Sequence, residues 1–240
     1  MGHILITGSS RGIGMAALDA LAAKGVPVIG HGSRPQVLAD GPPIIAADFG
    51  NPLAAQALWE AALELAGGEI DVVVNNAGRF EANRLDRSDI EWLDAWEDTL
   101  RVNLTASAQL SRLAVLHWQQ RGFGGRLVHV ASRAAYRGDS PAHWHYAAAK
   151  SGMIAMHKTI ARAYAKDGIL SFAVAPGFTD TSMADDYLAS RGGPGLLADI
   201  PLGRVATPEE IGAIIAFCAL DAPPSMTGAV IDANGASYVR

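Results

Sequence analysis

Cysteine is nearly absent from this chain. The single cysteine, Cys218, excludes an intrachain disulfide. It lies in an apolar helical pattern at residues 211–220, where a free cysteine behaves as a small hydrophobic side chain. We interpret Cys218 as a buried packing residue; a reactive thiol is the alternative.

Long apolar runs and an excess of basic residues are missing as well. No stretch approaches the roughly 20 apolar residues that span a bilayer, and the first residues show no basic leader followed by a long apolar segment. There are 19 Lys and Arg against 24 Asp and Glu, which gives a net charge of −5. This balance creates no general attraction to nucleic acid or to an anionic membrane. We therefore expect a soluble, cytoplasmic protein whose partner is a small molecule.

The seven histidines show no metal-binding spacing. His143 and His145 lie just before Tyr146, and we interpret them as residues at the rim of a site or on the surface rather than as ligands. The sequence therefore predicts no metal site. It leaves open whether these two histidines touch a substrate.

Short apolar runs alternate with longer helical patterns along the whole chain. The predicted strands are 4–7, 26–30, 44–47, 71–75, 127–131, 170–175 and 229–232. The predicted helices are 12–24, 52–66, 92–120, 146–166 and 208–220. Several strands are apolar on both faces, as buried parallel strands are. The alternation predicts an α/β fold with one doubly wound parallel sheet, helices on both faces and a single domain over 1–240.

The least regular segment, residues 178–204, is rich in Gly, Pro and Asp. It follows the C-terminal end of a predicted strand, where ligands bind in open α/β sheets. Loops of this length in compact domains are often functional. We predict a substrate lid at 178–204; a passive surface excursion is the alternative.

A glycine-rich turn joins the first predicted strand to the first predicted helix. Residues 7–14 read TGSSRGIG, and helix-forming residues follow at once. Glycines allow a tight turn and a close approach of the backbone to a pyrophosphate, which the amides and dipole of a helix N-terminus favour. The spacing G-x-x-x-G-x-G differs from the commoner G-x-G-x-x-G, but the strand before it and the helix after it are the context of a dinucleotide site.

Further motifs follow in an order that resembles the short-chain dehydrogenase/reductase family, especially its oxoacyl-(acyl carrier protein) reductase-like members. The matching elements are TGSSRGIG at 7–14, NNAG at 75–78, Asn103, Ser132, YAAAK at 146–150 and PG at 176–177. The likeness continues through 201–210 and 234–235, so it covers nearly the whole chain. It implies a single Rossmann-type domain that binds a nicotinamide dinucleotide.

The resemblance also implies which residues contact that cofactor. They are Gly8, Ser10, Arg11, Gly12, Ile13, Gly14, Ser33, Arg34, Asp48, Phe49, Asn76, Ala77, Gly78, Tyr146, Lys150, Pro176, Gly177, Thr179 and Thr181.

Tyr146 and Lys150 are four residues apart, so a helix places them side by side on one face. A free tyrosine has a pKa of about 10, and a nearby ammonium lowers that pKa by favouring the phenolate. Tyr146 thus becomes a candidate acid/base, although the same spacing is common on ordinary amphipathic helices. In the family that the chain resembles, this tyrosine moves the proton and the lysine also contacts the nicotinamide ribose. The resemblance gives Ser132 the role of holding the substrate oxygen, and Asn103 that of helping to hold a water that connects the lysine to solvent.

The second predicted strand indicates which cofactor is used. NAD-preferring relatives commonly have an Asp at the end of this strand, and Gly32 stands at the position that we assign to it. Without that acid, Arg11 and Arg34 can converge on a ribose phosphate, which suits the planar guanidinium fork, and Ser33 can donate a further hydrogen bond. NADP(H) is therefore predicted over NAD(H); solvated surface arginines are the alternative.

Two functions fit these residues. One is an NADP(H)-dependent oxidoreductase that moves a hydride between nicotinamide and a small carbonyl or alcohol. The other is an NAD(P)-binding regulatory protein of the same fold without significant turnover. A non-catalytic relative commonly lacks the tyrosine or the lysine, and this chain has both, so the enzyme is favoured. Arg79 either biases the site toward a polar or anionic substrate or points outward.

Two predictions concern partners. The family associates through the helices at 92–120 and 146–166 and through its last helix and strand, so we expect a homotetramer. The apolar residues of these helices, among them Met153, Ile154, Met156 and Ile160, exceed what one helix face against a sheet requires.

Asp167 stands where carrier-protein reductases tend to have a basic residue, and the chain is acidic overall. An acidic carrier protein would therefore be steered poorly toward the site. We predict that the substrate is not primarily linked to an acyl carrier protein, although Arg121, Arg126 and Lys166 partly compensate.

Overall fold

Seven strands form one parallel sheet within residues 2–36, 38, 41–180 and 193–240, which the computed structural model describes. They are β1 (His3–Ile6), β2 (Val28–Gly32), β3 (Ile44–Ala46), β4 (Ile70–Asn75), β5 (Gly125–Val130), β6 (Ile169–Pro176) and β7 (Val230–Ala233). Their order across the sheet is β3-β2-β1-β4-β5-β6-β7. The predicted α/β fold is confirmed, and each predicted strand is present with its ends within two residues of the prediction.

Helices cover the two faces of this sheet. They are α1 (Gly12–Ala22), α2 (Ala54–Leu65), α3 (Asp89–Leu100), α4 (Ala106–Arg121), α5 (Ala134–Arg137), α6 (Trp144–Tyr164), α7 (Gly193–Ala198) and α8 (Pro208–Ala216). The long helix predicted at 92–120 is α3 and α4 joined by a π-helical turn, Arg101–Thr105. No helix in the described part of the chain is long and apolar enough to cross a membrane.

The apolar strands are buried because both faces of the sheet carry a core. In β1, Leu5 packs into one hydrophobic cluster with α2 and α4, while Ile4 and Ile6 pack into another with α1 and α8. All three side chains are 0% exposed. Cys218 belongs to the second cluster and burial raises its pKa to about 11, so its interpretation as a packing residue is confirmed.

Local sequence explains where two helices begin. Ser88 at the start of α3 accepts a hydrogen bond from the amide of Glu91 (3.4 Å), and the Ser88 amide donates to the Glu91 carboxylate (3.2 Å). Thr207 and Glu210 form the same reciprocal pair at the start of α8. Such capping boxes satisfy amides that a helix N-terminus leaves without intrahelical partners.

The apolar residues of α6 pack within the chain itself. Met153, Ile154 and Ile160 are buried, and Met156 is partly buried against the core cluster of α2 and α4. The expectation that these four side chains form an apolar excess was wrong, because the sheet and the neighbouring helices cover them. The homotetramer stays a prediction, but these residues do not support it.

The strand order places a crevice beside β1. Along the chain, β1 to β3 extend the sheet in one direction, whereas β4 to β7 extend it in the other. Where the strand order reverses, the connections after two neighbouring strands run to opposite sides of the sheet. This leaves a crevice at the carboxyl ends of those strands, and ligands bind there in such sheets.

The segment predicted as a lid, 178–204, is described at its two ends. Residues 178–180 run beside Ala206, with Ala206 donating to the Phe178 carbonyl (3.0 Å) and Asp180 donating to the Ala206 carbonyl (2.8 Å). The two ends of the segment are therefore anchored side by side. Residues 181–192, among them Thr181, lie outside the described residues, and the lid stays a prediction.

Candidate active site

A cavity of about 690 Å³ opens at the carboxyl ends of six neighbouring strands. Its size lies within the range of small-molecule sites. The residues predicted to contact a cofactor, as far as the structure describes them, all line it: Gly8, Ser10, Arg11, Gly12, Ile13, Gly14, Ser33, Arg34, Asp48, Phe49, Asn76, Ala77, Gly78, Tyr146, Lys150, Pro176, Gly177 and Thr179. Motifs that are up to 170 residues apart in the sequence are thus brought to one place.

The glycine-rich turn is held by the end of β4. Gly8 has a φ of +65°, which favours glycine, and a Cβ at Gly14 would overlap the Gly8 carbonyl oxygen. The Asn76 side-chain amide donates to the Thr7 and Gly8 carbonyls, both at 3.0 Å. The Thr7 hydroxyl accepts from the amides of Asn76 (2.9 Å) and Ala77 (3.0 Å). This arrangement leaves the N-terminus of α1 facing the cavity, as a pyrophosphate requires.

Cationic residues lie at the end of the cavity where the sequence predicts the adenosine, next to the end of β2. Arg11 and Arg34 are exposed and line the cavity together with Ser33. Gly32 places no side chain there, although a Cβ at this position would lie 3.3 Å from the Ser10 Cβ. The acid at this end is Asp48, which follows β3 and accepts from the Gly50 amide (2.9 Å).

His31 was missed by the sequence analysis at this end of the cavity. It is the residue before Gly32 in β2, it is 3% exposed, and its ring lines the cavity beside Phe49. The sequence shows no motif for it, since its role depends on contacts with two other segments.

Tyr146, Lys150 and Ser132 meet at the other end of the cavity. Tyr146 and Lys150 lie on α6, with the Lys150 Nζ atom 5.8 Å from the centre of the Tyr146 ring. Lys150 is 4% exposed and donates to the Val130 carbonyl at 2.7 Å. Ser132 follows β5, hydrogen-bonds to Tyr146 and accepts from the Ala134 amide (3.1 Å).

The pKa values of this pair are shifted by burial. Burial raises the pKa of Tyr146 to about 12, and the hydrogen bond with Ser132 only partly offsets that rise. Burial also lowers the pKa of Lys150 to about 8. The prediction that the ammonium lowers the pKa of Tyr146 was therefore wrong for this arrangement, because loss of water has the largest effect on that pKa and Lys150 directs its Nζ atom at a backbone carbonyl.

Asn103 lies behind the cavity wall on the π-helical turn. Its side chain is 0% exposed and pairs with the backbone of Arg79, accepting from the amide (2.8 Å) and donating to the carbonyl (2.9 Å). π-helical turns frequently occur at functional sites. Asn103 therefore fixes the backbone at Arg79, directly after the NNAG motif. The last residue of that motif, Gly78, lies beside the Lys150 Nζ atom.

Around Tyr146, the cavity is also lined by residues of both charges and by aromatic rings. These residues are Arg79, Phe80, Glu81, Arg133, Asp139 and Phe178. Arg79 is ion-paired with Asp98, which places its charge against α3. The Phe80 ring stacks on His143 with centroids 4.0 Å apart and meets the Tyr146 ring edge-on at 4.7 Å.

His143 and His145 are both buried, so the part of the prediction that allowed them a surface position was wrong. His143 stacks on Phe80 and hydrogen-bonds to Ser140 (2.6 Å). The His145 ring lies nearly parallel to Trp96, with centroids 6.4 Å apart, and its Nδ1 atom accepts a hydrogen bond from the Tyr146 amide (2.9 Å). No group of three or more metal-ligating side chains occurs among the described residues.

Comparisons with known proteins agree with this arrangement. The model of the enoyl-(acyl carrier protein) reductase family matches residues 8–235. The 3-oxoacyl-(acyl-carrier-protein) reductase FabG of Vibrio cholerae is 35% identical over 242 residues, which cover 98% of this chain and 96% of that protein. The FabG protein of Escherichia coli is 34% identical over 247 residues, with coverages of 98% and 96%.

Among solved structures, a proposed 2-deoxy-D-gluconate 3-dehydrogenase from Agrobacterium tumefaciens with bound NADP superimposes with a TM-score of 0.85. It is 27% identical, and the match covers 98% of this chain and 95% of that one. This chain belongs to the short-chain dehydrogenase/reductase family of oxidoreductases.

Proposed function

We propose that this protein is an NADP(H)-dependent oxidoreductase in which Tyr146 is the acid/base. The observation that carries this proposal is the convergence of Tyr146, Lys150 and Ser132 at one end of a cavity whose other end is cationic. A relative of the same fold was solved with NADP bound. The residues present fit such a cofactor, because an α1 N-terminus without side chains at Gly12 and Gly14 faces the cavity.

A bound nicotinamide supplies hydride transfer. The chain's own residues supply the proton and the orientation. Tyr146, with its raised pKa, keeps its hydroxyl proton at neutral pH and is thus a proton donor to a carbonyl oxygen. Ser132, hydrogen-bonded beside it, would hold that oxygen where negative charge develops.

Lys150 supports this proton transfer electrostatically. With a pKa of about 8, it is still largely protonated at pH 7. A cation near the phenol favours the phenolate that remains after the proton has left, but burial has the larger effect on the pKa of Tyr146. Asn103 acts one layer further out, since it fixes the backbone of Arg79 and thereby the wall beside Lys150.

Tyr146→Phe tests the assignment of the acid/base. The substitution removes the hydroxyl and keeps the ring that packs against Phe80. We expect kcat to fall by about 10²- to 10⁴-fold, the usual contribution of a general acid, while NADPH binding stays close to that of the unmodified protein. Near-normal turnover on an accepted ketone, followed at 340 nm, would show that another group moves the proton.

We further propose that NADP(H) is preferred because of Arg11, Arg34 and Ser33. Charge-assisted hydrogen bonds from an arginine contribute about 1.5–3 kcal/mol each, so a preference for NADPH of at least about tenfold is expected. The kcat/KM values with NADPH and NADH should converge in Arg34→Ala, mainly through loss of NADPH affinity. Equal use of both cofactors by the unmodified protein would contradict this reading.

We propose that the substrate is a free small carbonyl compound rather than an acyl group linked to a carrier protein. Two of the three basic residues that could meet an acidic carrier are engaged elsewhere: Arg121 pairs with Asp71 (3.1 Å), and Arg126 donates to the Cys218 and Ala222 carbonyls. Asp167 is exposed nearby and accepts from Gln119 (3.2 Å). A carrier-linked ketone reduced far better than the matching free thioester would overturn this proposal.

A regulatory protein without turnover remains the second candidate in the same family. The presence of both Tyr146, which is partly buried, and Lys150, which is buried, at one end of the cavity favours the enzyme. A panel of ketones and alcohols assayed with both cofactors distinguishes the two, since a regulatory protein binds the cofactor without consuming it.

A further inference from the structure

The His31 ring connects three separate segments at the adenosine end of the cavity. Its Nδ1 atom accepts a hydrogen bond from the Gly8 amide (3.1 Å), which belongs to the glycine-rich turn. Its Nε2 atom lies 2.8 Å from the carbonyl oxygen of Ala47, at the end of β3. The ring stacks on Phe49 with centroids 4.4 Å apart and planes 20° from parallel.

These contacts fix one protonation state of the ring. The Gly8 amide can only donate, so Nδ1 must present its lone pair; the Ala47 carbonyl can only accept, so Nε2 must carry the hydrogen. The ring is then neutral. This agrees with its burial, which lowers the pKa of His31.

The backbone of His31 strengthens the same connection. The Ser9 amide donates to the His31 carbonyl (2.8 Å), and the His31 amide donates to the Ser9 hydroxyl (2.9 Å). Ring and backbone together therefore hold Gly8 and Ser9, the first residues of the turn. The Gly8 amide is directed at the imidazole, which leaves the amides at the N-terminus of α1 to meet a phosphate.

We propose that His31 is a positioning residue for the adenosine half of the cofactor. Through Gly8 it sets the glycine-rich turn, and through Ala47 and Phe49 it sets the segment that carries Asp48. Both segments line the cavity on either side of the imidazole. This inference rests on the proposed function, because it assumes a dinucleotide in the cavity.

Three substitutions separate the contacts of the ring. His31→Phe keeps the stacking on Phe49 and removes both hydrogen bonds. His31→Asn keeps an acceptor within reach of the Gly8 amide, at the place of Nδ1. His31→Gln keeps a donor within reach of the Ala47 carbonyl, at the place of Nε2. His117→Gln is a control: this half-buried histidine on α4 packs edge-on against Trp59, away from the cavity.

The measurements are the Kd of NADPH, the Kd of adenosine 2′,5′-bisphosphate, and kcat at saturating NADPH. For His31→Phe we expect both dissociation constants to rise by about tenfold or more, with kcat within about twofold of the unmodified value. His31→Asn and His31→Gln should each recover part of the loss, and His117→Gln should bind as the unmodified protein does. Thermal melting of each variant identifies any that do not fold, and the Asn and Gln variants then carry the test.

Three outcomes would overturn the inference. One is unchanged affinity for adenosine 2′,5′-bisphosphate in His31→Phe. Another is an equal loss in all variants including His117→Gln, which indicates general destabilisation. The third is a loss of kcat as large as the loss of affinity, which indicates a role beyond positioning. If the unmodified protein binds neither NADPH nor NADH, the proposed function itself fails and this inference with it.

Discussion

Two buried histidines should make the stability of this protein fall steeply in acid. His129 on β5 and His157 on α6 are both 0% exposed, with ring centroids 5.8 Å apart. Burial lowers the pKa of His129 to about 3 and that of His157 to about 4, from 6.5. Both rings are therefore neutral in the folded protein at pH values where an unfolded chain would protonate them.

The sign and size of the effect follow from proton linkage. Below pH 6.5 the unfolded chain binds protons that the folded chain does not, so the free energy of unfolding decreases as the pH falls. Between pH 7 and pH 4.5 this amounts to about 2.5 kcal/mol for each histidine and about 5 kcal/mol for both. Domains are typically stable by about 5–15 kcal/mol in total, so the loss is large.

Urea denaturation at pH 7 and at pH 4.5 measures this effect in the unmodified protein and in the His129→Gln/His157→Gln double variant. The variant should be less stable at pH 7, since His157 loses its hydrogen bond with Ser171 (2.7 Å). Between pH 7 and pH 4.5, the free energy of unfolding of the variant should decrease by about 5 kcal/mol less than that of the unmodified protein. Protein concentration is kept constant, because the stability of an oligomer depends on it.

Each single variant serves as a control and should remove about half of the effect. His157→Gln should remove slightly more than half, because the charge of His157 contributes to lowering the pKa of His129. Equal pH dependence in the unmodified protein and the double variant would refute the reasoning, because it would place both native pKa values near 6.5.

Three further outcomes are expected. Gly14→Ala should lose NADPH binding and lower Tm, since the new Cβ would overlap the Gly8 carbonyl oxygen and lie 2.5 Å from the Asn76 side-chain nitrogen; normal binding by calorimetry would contradict the described turn. Carbonyl reduction at saturating NADPH should slow as the pH rises through about 8, where Lys150 loses its proton; a flat profile from pH 7 to about 9.5 would exclude this role. Light scattering should show a homotetramer at micromolar concentration, and a monomer would refute that prediction.

The sheet could be predicted from the sequence because strands that are buried on both faces need apolar residues at consecutive positions. Ile4, Leu5 and Ile6 alternate between two cores, so all three positions must be apolar. The interruption of the long helix by a π turn at 101–105 could not be predicted in this way. One extra residue in a helix leaves the apolar pattern almost unchanged, and it is recognised only from the hydrogen bonds.

Site residues could be predicted where the chemistry depends on the residue type in a motif. They could not be predicted where the role depends on contacts between distant segments. Tyr146, Lys150 and the glycines of the turn could be named from their motifs. His31 could not, because its role depends on the Gly8 amide and the Ala47 carbonyl, which the fold brings to it. The raised pKa of Tyr146 was missed for a similar reason: the sequence shows the neighbouring lysine but not the loss of water.

The π turn couples the length of one helix to the shape of the active site. A π turn holds one extra residue in a wider turn of the helix, so deleting one residue from Arg101–Thr105 would give a regular α-helix with α4 nearly in place. Trp118, whose indole nitrogen donates to the Ile70 carbonyl at 2.7 Å, would still face the sheet. The residues of the turn itself would shift, and Asn103 would leave the backbone of Arg79. Shortening this helix by one residue would therefore preserve the core and alter the cavity wall beside Lys150.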